Sequence, residues 1–121
     1  MNGLTVAVIG CGRIGKMHVN NLLANFPEVH VKAIVDGNLD SQWARERGIE
    51  HLYPQESLST VLDDTAIDAV IIAAPSSTHI ELIKAAAASG KHIFCEKPIG
   101  FTPEAIQQAI DAVETHQVIL Q

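Results

Sequence analysis

Four short stretches hold the residues whose types and spacing could do chemistry. Residues 10–15 read GCGRIG, so Gly10, Gly12 and Gly15 fall on the spacing G-x-G-x-x-G. Asp36 closes a β-branched run 21 residues after Gly15. Residues 73–79 read AAPSSTH, and residues 95–98 read CEKP. Glycines at the first spacing, between a strand and a helix, suit a phosphate group held on backbone amides. Gly10 would allow the tight turn, Gly12 the approach of a pyrophosphate, and Gly15 the close packing of helix on strand. A glycine-rich turn without a ligand is the plainer reading of the same residues.

The other three stretches extend or weaken that reading. A carboxylate at the end of a second strand accepts hydrogen bonds from adenosine ribose hydroxyls, and its charge would repel a 2′-phosphate. The residues from Asp36 onward, DGNLDSQ, include no arginine, which favours NAD over NADP. Asp36 as a turn former before Gly37 fits the same position. Ala74 and Pro75 would face the same crevice as Gly12, because ligands bind beyond the carboxyl ends of parallel strands. His79 could approach the nicotinamide ribose or be an exposed helix residue. His18 reads as packing or surface. Neighbouring side chains on a strand point to opposite faces, so Glu96 and Lys97 should not pair with each other. One of them can enter the cleft while the other supports the loop, and Lys97 alone is equally well read as solvated.

Those residues need a frame to bring them together. Strand-like runs occupy residues 5–10, 29–36, 67–75, 91–95 and 117–120, with a weaker one at 51–53. Gly15, Val19, Leu22 and Phe26 share one helical face. Thr78 with Glu81 suggests a capping box, and Gly90 a helix stop. Thr102 before Pro103 reads as an N-cap and first helical residue, followed by Ile106, Ala109, Ile110 and Val113 at helical spacing. Residues 40–48 and 54–64 predict shorter helices. Six strands alternating with five helices, the strands apolar on both faces, predict an α/β doubly wound parallel sheet of order 3-2-1-4-5-6. The 121 residues form one domain with no internal linker.

Composition excludes several alternatives. Apolar residues make up 47% and charged ones 18%, as in a globular chain rather than a disordered one. The formal charge of −6, without a basic cluster, argues against nucleic acid. No apolar run approaches the roughly 20 residues of a membrane span, and the N-terminus lacks signal-peptide features. Cys11 and Cys95 then read as reduced thiols of a cytoplasmic protein. Neither metal-ligand spacing nor a nucleophile elbow is present.

Taken together, GCGRIGKMH, Asp36, APSSTH and CEKP resemble the glucose–fructose oxidoreductase/inositol dehydrogenase (Gfo/Idh/MocA) family, in order and over essentially the whole chain. The resemblance implies an N-terminal dinucleotide-binding domain of a two-domain enzyme that oxidises a secondary alcohol of a sugar or cyclic polyol. It places Gly10, Gly12, Arg13 and Ile14 around the pyrophosphate and Asp36 on the adenosine ribose. It makes Lys97 the catalytic lysine beside the nicotinamide, aimed by Pro98. Ala74, Pro75, His79 and Glu96 are the further cofactor-site candidates. The family's second catalytic patch, an Asp and a His three residues apart, has no match here, so the chain alone is expected to be inactive. NAD is the expected cofactor, with NADP possible, and the full-length form is expected to be a homo-oligomer. A standalone dinucleotide-binding or sensing module is the competing expectation. An unrelated enzyme such as a methyltransferase fits the lysine poorly.

Overall fold

Branched aliphatic residues build the sheet, and in the computed structural model, which describes residues 3–121, they alternate between two cores. The strands are β1 (Leu4–Ile9), β2 (Val29–Val35), β3 (His51–Tyr53), β4 (Ala69–Ile72) and β5 (His92–Cys95). All pair in parallel in the order β3-β2-β1-β4-β5. Five helices join them: α1 (Arg13–Asn25), α2 (Ser41–Glu46), α3 (Leu58–Leu62), α4 (His79–Ala88) and α5 (Pro103–His116). Val6 and Val8 of β1 face the core that holds Val19 of α1 and Ala44 of α2. Ala7 and Ile9 face the other, with Val61, Ile83 and Ala109 from α3, α4 and α5. Strands covered on both faces are why these runs are continuously apolar rather than alternating with polar residues.

The sixth strand is a correction. Residues 117–120 were expected to form it, yet only one parallel bridge, Ile93 to Leu120, joins the sheet. Its place beside β5 agrees with the expected order. Gln117 adopts the left-handed conformation (φ 57°) and caps α5, which shortens the extended segment. Three backbone bonds tie that segment to β5: Ile93 N–H to Ile119 O at 2.8 Å, Cys95 N–H to Gln121 O at 2.8 Å and Gln121 N–H to Ile93 O at 2.9 Å.

Helix ends follow their local chemistry with one exception. Thr102 accepts the Ala105 amide at 3.1 Å ahead of Pro103, as the sequence predicts. Thr78 does not form the expected capping box. Its hydroxyl donates to the Pro75 carbonyl at 2.6 Å, closing a 3-10 turn (Ser76–Thr78) before α4. On the α1 side of β4 and β5, Ile71, Phe94 and Ile119 line an open apolar groove with Leu22 and Phe26. Phe26 is therefore 47% exposed, and Ile110, expected on the inner face of α5, is also exposed.

Candidate functional site

The carboxyl ends of β1, β2 and β4 open into a crevice of about 670 Å³ lined by Gly10, Gly12, Asp36, Ala74 and Pro75, and by Lys16. Its floor is the turn after β1. Gly10 has φ +89°, and a Cβ there would sit 2.5 Å from the backbone nitrogen of Ala74. Only glycine lets β1 and β4 leave the sheet so close together. A Cβ on Gly15 would fall on the Gly10 carbonyl oxygen, so α1 can pack on the turn only with glycine at that position. At Gly12 a Cβ would meet nothing within 4 Å. The Gly12 backbone thus faces open space, where a ligand can approach it.

Helix α1 starts without a side-chain cap and without an acidic residue in its first turn. Its first amides, from Arg13 onward, are therefore unmatched by side chains at a point where the helix dipole favours an anion. Arg13 and Ile14 are exposed beside them. Across the floor, the Asp36 carboxylate accepts the Cys11 amide at 2.7 Å and the Asn38 amide at 3.3 Å. One bond locks the end of β2 to the glycine turn and fixes the direction of the charge. A helix start with unmatched amides and a fixed carboxylate thus share one crevice, a donor set and an acceptor set of the kind that suits phosphates and hydroxyls.

The β4 and β5 ends continue the site. His79 is 1% exposed, which removes its reading as a surface helix residue. Its Nδ1 lies 2.7 Å from the Pro98 carbonyl oxygen and its Nε2 2.9 Å from that of Ala74. The ring thus sits between the exit of β4 and the turn that carries Lys97, its neutral form donating its one N–H to one of the two carbonyls. Glu96 reaches the other way: its carboxylate lies 2.5 Å from Nε2 of His18, whose ring meets Phe94 edge-on at 5.3 Å between centroids. Glu96 and Lys97 form no ion pair with each other, and Glu96 is the member tied to α1. Lys97 is exposed and forms no ion pair among the described residues.

Some participants escaped sequence reasoning. Lys16 and Asp40, 2.9 Å apart, bridge the crevice mouth. Lys16 directly follows the glycine motif and Asp40 begins the predicted helix at 40–48, so their positions were visible but their meeting was not. Cys11 lines the crevice, and Cys95 closes β5. Burial, reinforced by Asp36, pushes Cys11 up to about 11, and burial with Glu96 pushes Cys95 to about 11, so both stay protonated at neutral pH. Among the described residues there is no cluster of three or more metal-ligating side chains and no helix long and apolar enough to cross a membrane.

Residues 4–121 match the family described as oxidoreductase family, NAD-binding Rossmann fold (Gfo/Idh/MocA). The scyllo-inositol 2-dehydrogenase (NAD(+)) of Bacillus subtilis is 42% identical over 118 residues, which covers 95% of this chain and 34% of that protein. An uncharacterised oxidoreductase of the same organism is 39% identical over 120 residues, covering 98% and 34%. The crystal structure of scyllo-inositol dehydrogenase from Lactobacillus casei with bound NAD(H) and scyllo-inositol superposes with a TM-score of 0.89 at 29% identity, covering 99% of this chain and 36% of that one. The chain spans about a third of the length of these relatives.

Proposed function

This chain belongs to the Gfo/Idh/MocA oxidoreductase family, and on that premise we propose that it is the cofactor domain of an NAD-dependent dehydrogenase acting on a secondary alcohol of an inositol-like polyol or sugar. The observation that supports this most is the Asp36 carboxylate held by the Cys11 amide, facing the same crevice as the open backbone of Gly12. The residues present fit the cofactor: Gly12 leaves the room, α1 offers unmatched amides, and Asp36 can accept hydrogen bonds from ribose hydroxyls.

In this reading the amides of the α1 start, with Arg13 and Ile14 beside them, hold the pyrophosphate. Asp36 binds the adenosine ribose. Ala74 and Pro75 form the opposite wall, and His79 and Glu96 brace the turn of Lys97 from its two sides. Bound NAD supplies the hydride acceptor. Lys97 is the residue assigned to the substrate, where its ammonium donates to the reacting hydroxyl oxygen and orients it. A proton acceptor and most of the polyol pocket would come from a second domain. That longer protein would be a cytoplasmic homo-oligomer.

Fluorescence titration with NADH tests the cofactor assignment. The chain should bind NADH, and Asp36→Ala should weaken binding by roughly ten- to a hundredfold, the loss of hydrogen bonds to a charged acceptor. Lys97→Ala should leave the affinity within about threefold, since its work is on the substrate. A wild-type chain that binds no dinucleotide would refute the reading.

A further inference from the structure

Three charged side chains line the mouth of the crevice: Lys16, Asp36 and Asp40. Asp40 caps α2 through Oδ1, which accepts the Trp43 amide at 3.1 Å. Its other oxygen accepts a hydrogen bond from the Lys16 ammonium at 2.9 Å. That bond, with the Trp43 amide second, holds the Asp40 carboxyl below its ordinary range, so it is charged at neutral pH. Lys16 also sits 5.4 Å from the centre of the Trp43 ring. Arg47 covers that ring at 4.2 Å and is committed elsewhere, to Asn20 at 2.7 Å and to the Trp43 carbonyl at 3.0 Å. Asp36 is held by amides and pairs with no cation among the described residues. The mouth therefore keeps one uncompensated negative charge, and its lining cation is already engaged.

We infer that Asp40 is a determinant of dinucleotide choice, because by holding Lys16 it withholds from a 2′-phosphate the cation that, among the described residues, lines the crevice mouth. The inference rests on the cofactor-domain reading above. Discrimination here has two parts. Asp36 repels the extra phosphate, and the Lys16–Asp40 pair removes the charge that would otherwise attract it. Unpaired, the Lys16 side chain would be free to swing over the ribose, since it is 31% exposed and rises from the second turn of α1. Excluding the wrong ligand by denying it a partner is specificity through absence of compensation rather than through added contacts.

Asp40→Asn separates this role from capping, because asparagine is as good an N-cap and removes only the charge. NADH and NADPH are titrated separately into the wild-type chain and the variant. Asp40→Asn should shift the ratio of the two dissociation constants toward NADPH by roughly three- to tenfold at low salt, and by less at high salt, where exposed charges are screened. Adding Lys16→Met to Asp40→Asn should cancel the shift. An unchanged ratio, or a shift that survives loss of Lys16, overturns the inference while NADH binding by the wild type still supports the cofactor reading. If the wild type binds neither nucleotide, both fall together.

Discussion

Lys91 and Lys97 stand at opposite ends of β5, and the fold handles them in opposite ways. Lys91 is 4% exposed, and its ammonium donates to the carbonyls of Asp64 at 2.6 Å and Ile67 at 2.8 Å. Lys97 is exposed and unpaired among the described residues. The contrast extends across the sheet. At the amino ends of the strands, Asp68 accepts the Thr5 amide at 2.9 Å and Lys32 reaches Asp64 at 2.6 Å, so polar groups there are matched within the chain. At the carboxyl ends the helix amides, the Gly12 backbone and Lys97 are left facing solvent. Braces such as His79 and the His18–Glu96 pair stand one layer behind them. Parallel strands put all their carboxyl ends on one edge, so groups left unmatched there lie on the same side of the sheet. A lysine's position along the strand therefore tells more than its residue type.

The largest effect should come from breaking a brace at the ligand-facing end. His79→Ala removes a fully buried ring and leaves whichever of the Ala74 and Pro98 carbonyls its N–H serves without a partner. The expected loss is about 3 kcal/mol, combining cavity and unmatched-acceptor costs. Urea unfolding measures it. A change in stability below about 0.5 kcal/mol would remove His79 from the frame of the site.

A smaller effect is expected from the matched lysine. Lys91→Met keeps the stem but strips the donor from two carbonyls, for about 2 kcal/mol of lost stability. NADH affinity should not change. In the two-domain dehydrogenase proposed above, Lys97→Met should do nearly the reverse, leaving stability within about 0.5 kcal/mol and cutting turnover by orders of magnitude. Equal stability losses for the two lysines would erase the distinction between the two ends.

Much of this was legible in the residues themselves. The strand-length runs at 5–10 and 29–36 marked β1 and β2, and the glycine spacing announced the turn between β1 and α1. Asp36 was readable because its distance from Gly15 is set by the length of one βαβ unit. Residues that act through others were not legible. His79 had an even choice between ligand and solvent, because nothing local shows that Pro98, 19 residues on, returns to cover it. Lys16 and Asp40 meet across 24 residues, and only the register of α1 over β2 brings them together. The sixth strand misled because QVIL has strand propensity, while the helix before it needed Gln117 for its cap. Local pattern thus reports on elements, whereas pairing between their ends depends on tertiary distance.

The smallest effect concerns acid, and it asks whether the two ends differ in how their carboxylates are held. Lys32, then the Ala66 amide, holds Asp64 below the ordinary carboxyl range, and Lys16, then the Trp43 amide, does the same for Asp40. A carboxyl depressed in the folded state contributes stability that is present above its unfolded pKa, about 3.9. That contribution is lost as pH falls through the lower folded value. Asp64→Asn and Asp40→Asn should therefore each flatten the fall in stability below about pH 4 and leave the slope near neutrality alone. Both pairs are open to solvent, so salt should shrink both contributions. Bound NADH should further shift the acid response of the wild type and of Asp64→Asn alike, while altering it least in Asp40→Asn, whose carboxyl no longer titrates beside the nucleotide. Urea midpoints across the acid range, with and without NADH, measure this. Equal responses in all three proteins would show that the Lys16–Asp40 pair is electrostatically separate from the crevice it borders.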